Sequence, residues 1–295
     1  MDYTDTDSGV TARLQGGLGN QLFIFSAAFA LSKRTNQPLT LDTSLLKVDE
    51  KRDFELGQIK HGATVRDAFP PRSTLRKLLI LMGGKLGLRS THALGENDTG
   101  FFETKEPVTL NGYFQSAKYF IDCEIELKEI LRNIEDPSDW YTRELTLSKS
   151  VSRMQILVHI RRGDYLSSKA RKFHGVLAAQ YFANQVNAVQ DEIGPSQIII
   201  SSDDLDYAHE MSAKYGWAAK ILTPTKGSTP LEALTVISQA DAIIMSNSSF
   251  SWWAGWLAKN EALRIVPEPW YLGSGMSSPL SLQQGWQSVS ANFES

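Results

Sequence analysis

From Gln155 to Trp270 the chain alternates short apolar runs with amphipathic stretches, and this alternation constrains the fold more than any other feature. QILVHI, QIIISS, AKILT, DAIIMS and RIVPEPW read as strands, and AAQYFANQVNAVQ, LDYAHEMSAKYG, PLEALTVISQA and SFSWWAGWLA read as the helices between them. Strands that are apolar on both sides need cover on both sides, and the intervening helices supply it. The order therefore predicts a doubly wound parallel sheet.

An α/β pattern also opens the chain. VTARL at 10–14 reads as a strand, GGLGN as a glycine loop, NQLFIFSAAFALSKR as a helix ending before Pro38, and PLTLD as a second strand. From about 50 to 112 periodicity is lost, so this region is expected to be irregular and loop-rich. NGYFQSAKYF at 111–120 then leads into a helical IDCEIELKEIL and a polar stretch beginning EDPSDW. A chain of 295 residues exceeds the usual single-domain size, and a boundary near residue 150 is expected, giving domains 1–150 and 151–295.

Bulk properties exclude several function classes. With 30 Lys and Arg against 33 Asp and Glu, well mixed along the chain, there is no broad basic field for nucleic acid or anionic lipid. Any phosphate binding must be local. Cys123 is the only cysteine, so neither an intrachain disulfide nor a cysteine-rich zinc site can form. The polar, acidic start MDYTDTDSGV lacks the character of a secretory signal, and no apolar run approaches the roughly 20 residues that cross a bilayer. The expected location is the cytoplasm. LRKLLILMGGKLGL at 75–88 is the one candidate for peripheral contact with the inner face of a membrane, with a buried helix as the favoured alternative.

In doubly wound sheets ligands sit beyond the carboxyl ends of the strands. After QILVHI come Arg161, Arg162, Gly163, Asp164 and Tyr165. A guanidinium pairs bidentately with phosphate and stays charged at any working pH, so one arginine here can hold a pyrophosphate. Neighbouring side chains on a strand point to opposite faces, which favours Arg161 as that arginine and pairs Arg162 with Asp164 or another carboxylate. GGLGN at 16–20 follows a strand and opens a helix, where amides and the helix dipole favour an anion. SNSSFSWWAGW at 246–256 follows another strand, with Ser248, Ser249 and Ser251 as hydroxyls for phosphate or ribose. Trp252, Trp253 and Trp256 recur at helical spacing and are expected in the core. Asp204 and Asp206 form a D-x-D pattern that could hold a divalent cation. A metal is disfavoured, because arginine and helix amides already neutralise a diphosphate and Asp206 falls inside the next helix.

HIRRGDY at 159–165, together with GGLGNQLF, NGYFQSAKYF, SSDD and SNSSFSWWAGWLA, resembles the α-1,2-fucosyltransferases of glycosyltransferase family 11, of the bacterial type, over roughly residues 10–270. The resemblance implies a GT-B-like α/β fold with two Rossmann-like domains facing across a cleft, the C-terminal one holding GDP-fucose, and a last helix returning to the N-terminal domain. It implies no cofactor and no metal, only the donor substrate GDP-β-L-fucose. Carried over by position, Arg161 holds the β-phosphate, His159 lies near the nucleotide, and the amides around Gly17, Gly19 and Asn20 close on the pyrophosphate. Asp204 and Asp241 become candidates for guanine or ribose, and Ser248 and Ser249 for phosphate. Asp241 has a second reading as a carboxylate at the start of the DAIIMS strand.

The implied reaction is inverting transfer of L-fucose to the 2-hydroxyl of a galactose-containing glycan, a β-galactoside oligosaccharide or O-antigen precursor. Leu166 to Lys172 contains no acidic residue where related enzymes place one, which leaves Asp164 and His174 as candidate bases. A GDP-fucose transferase of another linkage and a noncatalytic nucleotide-sugar-binding protein are the rival readings.

Overall fold

The computed structural model describes residues 9–47, 52–66, 92–95, 99–273, 283 and 285–294. The chain divides into two compact units, Met1–Glu135 and Asp136–Ser295. The division falls before the boundary expected near 150, so the polar stretch after EDPSDW opens the second unit.

The first unit contains β1 (Val10–Arg13), α1 (Leu18–Thr35), β2 (Leu39–Asp42), β3 (Thr64–Arg66), β4 (His92–Gly95), β5 (Val108–Asn111) and α2 (Glu124–Arg132). Its five described strands are parallel, in the order β3-β2-β1-β5-β4. Helix α1 is buried almost without interruption from Leu18 to Leu31, because its apolar residues run all round rather than along one stripe. It ends on Asn36, which takes the left-handed conformation at φ 51° and returns its amide to Lys33 and Ser32, and Pro38 cannot continue it. The region from 50 to 112, expected to be irregular, contributes β3, β4 and β5. These strands are three or four residues long, too short for an alternating pattern to register. The 75–88 stretch lies outside the described residues.

The second unit contains α3 (Asp139–Ser150), β6 (Gln155–Ile160), α4 (Ser168–His174), α5 (Ala179–Ile193), β7 (Gln197–Ser202), α6 (Leu205–Lys214), β8 (Lys220–Ile221), α7 (Pro230–Ile237), β9 (Ala242–Ile244), α8 (Ser249–Leu257), β10 (Leu263–Glu268) and β11 (Gln287–Ser290). All six described strands run parallel, in the order β11-β10-β9-β6-β7-β8. Every residue of β6 is buried, and Ile156, Val158 and Ile160 pack with Phe182 and Val186 of α5 in the core. The expected alternation of five strands and four helices is present. The last described element is β11, an edge strand of this same sheet. Among the described residues no helix is long and apolar enough to cross a membrane.

Counted from the first strand of each unit, the strand orders are 3-2-1-5-4 and 3-2-1-4-5-6. Each sheet therefore has one place where successive connections leave in opposite directions: between β1 and β5 in the first unit, and between β6 and β9 in the second. At such a switch point the loops beyond the strands part and leave a crevice.

One carboxylate fixes the start of the second unit. Glu232 is fully buried, accepts hydrogen bonds from the Ser138 amide (2.6 Å) and hydroxyl (2.9 Å), and completes a capping box with Thr229. Its charge thus sits at the N-termini of both α3 and α7, where the two helix dipoles favour it. Replacing Glu232 with alanine strands the Ser138 amide and is expected to cost about 3 kcal/mol of stability. Urea unfolding checks this, and a change below about 1 kcal/mol contradicts the role assigned to the carboxylate.

Candidate active site

At the switch point of the second unit, His159 near the end of β6 and Ser246 just beyond β9 are joined by a 2.7 Å hydrogen bond between Nδ1 and Oγ. Both residues are buried, and the imidazole stacks on Phe250 at 5.3 Å. Burial, reinforced by the Arg161 charge, depresses the His159 pKa from 6.5 to about 3. His159 is thus a neutral cross-link between the two strands that border the crevice.

The two arginines diverge as strand geometry requires. Arg161 pairs with Asp164 at 2.7 Å and Asp203 at 3.1 Å. Arg162 turns the other way, onto Glu294 and Asp204, and lies 3.9 Å from the centre of the Tyr207 ring. Arg162 therefore does pair with carboxylates, but Asp164 is not one of them: the short turn at Asp164–Leu166 carries that side chain back to Arg161. Of the two guanidiniums, Arg161 is the more exposed, at 26% against 14%. It is the one a ligand can reach.

His174, the last residue of α4, is brought to the same place. Its ring stacks on Tyr165 at 4.5 Å and leans against Tyr271 at 5.5 Å. Burial lowers its pKa, Asp164 opposes that shift, and Arg161 adds to it. Asn247 holds the segment in place by donating from Nδ2 to the His174 carbonyl (2.8 Å), while the Tyr165 hydroxyl donates to the Asn247 carbonyl (3.0 Å). Tyr165 was named in the motif without a role, and Tyr271, Ser246 and Asn247 were not singled out from the sequence. Ser246 and Asn247 stand inside the quoted serine segment, whereas Glu294 and Tyr271 carried no local signal at all.

Ser248 caps α8 by accepting from the Phe250 amide (3.3 Å), and Ser249 opens the helix, half-buried. The N-terminus of α8 thus faces the crevice beyond β9. Trp252, Trp253 and Trp256 are buried in the core, as their spacing predicts. Asp204 caps α6 by accepting from the Tyr207 amide (3.0 Å) and faces Arg162 with its other oxygen, while Asp206 lies within that helix.

Asp241, carried over as a guanine candidate, lies apart from this assembly. It precedes β9, at the opposite end of the parallel sheet, where it accepts from the Gln155 amide (2.7 Å) and pairs with Lys259. Because β6 runs six residues from Gln155 to Ile160, Asp241 lies roughly 15–20 Å from the crevice.

The glycine loop of the first unit has its own construction. Gly17 is the N-cap of α1, and Gly19 lies buried in its first turn. Gly16 adopts φ +75°, and a Cβ there would come within 2.6 Å of Asn20 Nδ2. Asn20 accepts from Gln115 Nε2 at 2.8 Å, which joins the loop after β1 to the loop after β5 across that sheet's switch point. Gln21, fully buried, ties Gly16 to Asp53 and Glu55. The NGYFQ segment, which had no chemical role in the sequence, thereby acquires a structural one.

The family model for glycosyl transferase family 11 matches residues 96–289, which includes the whole of this switch point. The chain belongs to glycosyl transferase family 11. Among characterised relatives, an α-1,2-colitosyltransferase of Escherichia coli is 28% identical over 89% of this chain and 92% of its own length. A galactoside 2-α-L-fucosyltransferase of Caenorhabditis elegans is 29% identical over 51% of this chain and 42% of its own. The crystal structure of the α-1,6-fucosyltransferase NodZ with GDP superposes with a TM-score of 0.55 at 15% identity, covering 86% of this chain and 93% of that one. At that identity the likeness is one of fold, the GT-B-like fold with parallel-sheet α/β units.

The neutral His159 gives this family 11 protein a testable acid sensitivity. The unfolded chain takes up a proton near pH 6.5, whereas the folded chain resists it until about pH 3. Stability is therefore retained above pH 6.5 and lost as pH falls below it, at up to ~1.4 kcal/mol per unit from this group, and His174 contributes in the same direction. Denaturation curves between pH 7.5 and 4.5 should show a shallower acid loss in His159→Gln than in the parent. Equal slopes would contradict the buried neutral state.

Proposed function

We propose that this protein is an inverting, metal-independent fucosyltransferase that moves L-fucose from GDP-β-L-fucose to the 2-hydroxyl of a galactose in a glycan acceptor. The observation that carries this reading is the Arg161 guanidinium, held at the carboxyl end of β6 beside the switch point, with the N-terminus of α8 beyond the neighbouring strand. A diphosphate there meets a fixed fork of donors on one side and helix amides with the Ser248 and Ser249 hydroxyls on the other. The family and the fucosyl- and colitosyltransferase relatives supply the sugar chemistry.

In the reaction the acceptor oxygen bonds to the anomeric carbon as the bond from that carbon to the β-phosphate oxygen breaks. Inversion converts the β-linked donor into an α-fucoside, and GDP leaves. Negative charge grows on the leaving oxygen, where Arg161 stabilises it more in the transition state than in the ground state. The hydroxyl proton passes to Asp164 or to neutral His174. Asp164 is held by Arg161 when no donor is bound, and a diphosphate competing for that guanidinium releases the carboxylate for this task.

Incubation with GDP-fucose and lactose in EDTA is expected to yield one fucosyllactose with an α-1,2 linkage by NMR. Loss of turnover in EDTA, or another linkage, would sink that part of the proposal. Lacto-N-biose and O-antigen galactose extend the acceptor panel. The colitosyltransferase relative favours one second reading, colitose in place of fucose as the sugar transferred, which direct competition between nucleotide-activated forms of the two sugars decides. Arg161→Ala should lower kcat roughly 100- to 1000-fold while the protein stays folded by circular dichroism, the loss expected for a preorganised donor to a developing anion. A fully active variant would remove Arg161 from the mechanism.

A further inference from the structure

We infer that Asp203, the first aspartate of SSDD, is a positioning residue that sets the guanidinium of Arg161 for the diphosphate, and that Gly163 is glycine in order to admit it. The inference rests on the donor reading above. One Asp203 oxygen lies 3.1 Å from Arg161 Nη1, and the other accepts the backbone N–H of Arg162 at 2.9 Å. A single carboxylate thus grips both the side chain of the first arginine and the main chain of the second. It is carried on the loop between β7 and α6, next to β6 in the sheet, with Ile160 opposite Ser202 in register. Its own position is therefore fixed by the ladder that fixes β6.

Gly163 supplies an independent observation. A Cβ built there would stand 2.6 Å from Asp203 Oδ2, closer than real Cβ atoms come to any neighbour. The glycine of RRGD and the first aspartate of SSDD are therefore two halves of one contact, 40 residues apart in the chain. Arg161 has a second carboxylate, Asp164, but the two hold it differently. Asp164 is 49% exposed and joined to Arg161 across a short turn, so a diphosphate can displace it. Asp203 is 26% exposed and tied to the Arg162 amide as well. The carboxylate that stays keeps one edge of the guanidinium occupied and presents the other edges outward, which lowers the rotamer freedom lost when phosphate binds.

A double-mutant cycle tests this. Parent, Asp203→Ala, Arg161→Ala and the double variant are compared by GDP affinity in calorimetry and by kcat and KM with GDP-fucose and lactose. Asp203→Asn is included because it keeps an acceptor for the Arg162 amide while removing the charge that faces Arg161. Asp203→Ala is expected to weaken GDP binding and lower kcat by roughly 10- to 100-fold, the size that loss of a group orienting a ligand-holding residue carries. Asp203→Asn should show most of that loss with unchanged thermal stability. KM for lactose should not move, and in the Arg161→Ala background the same substitution should cost less than about 2-fold more. Gly163→Ala should resemble Asp203→Ala.

An equal loss with and without Arg161 would show that Asp203 acts on the fold or touches the ligand directly, which overturns the inference. So would an intact Asp203→Asn. If Arg161→Ala is impaired and Asp203→Ala is not, the positioning role falls while the donor reading stands. If Arg161→Ala itself binds GDP and turns over normally, both fall together.

Discussion

The structure of the second unit depends on the parallel pairing of β6 with β7 on one side and β9 on the other. A strand buried along its whole length can satisfy its backbone only through two neighbours, and its side chains only against helices on both faces. Once QILVHI is placed so, the chain leaves it toward β7 and later returns to its other side as β9. The connections must part there, and the residues after each of the two strands are delivered to the gap. His159 and Ser246 meet for this reason, although they stand 87 positions apart in the chain.

Much of this was legible in the sequence because it follows from local pattern. The five apolar runs after residue 155 are long enough to show their character, and the rule that ligands gather beyond strand ends picked out RRGD, SSDD and the serine segment without knowledge of the pairing order. What was not legible depended on the order itself. Asp241 and Ser246 flank the same strand; the carboxyl-end rule favours Ser246, and Asp241 entered as a guanine candidate only through the family resemblance. Glu294 pairs with Arg162 only because β11 joins the sheet at its far edge and the residues after it return toward the bridge between Leu177 and Phe293. The short strands β3, β4 and β5 were missed because a strand of three or four residues is recognised by its neighbours, not by its own composition.

The consecutive arginines show how one strand end separates two identical charges. Arg162 is covered by Glu294, Asp204 and the face of Tyr207, a set of partners that leaves it no reason to turn toward an anion. Arg161 is paired as well, but one of its carboxylates lies on an exposed turn. Two arginines with equal pairing would compete for a diphosphate and leave its position undetermined. Under the proposed function, unequal pairing gives the phosphate one partner and makes the other arginine part of the scaffold.

Both units close their switch points with a hydrogen bond between neutral side chains: Asn20 with Gln115 in the first, and His159 with Ser246 in the second. The residue types differ, so the similarity comes from the fold. A gap between diverging loops must be bridged close to the strand ends, or the loops lose their relative register. A charged bridge in the second unit would place a further ion beside Arg161, at the cost of burying it. A histidine kept neutral by burial supplies the hydrogen bond without that cost, and in the proposed reaction it leaves the Arg161 guanidinium to face the leaving diphosphate.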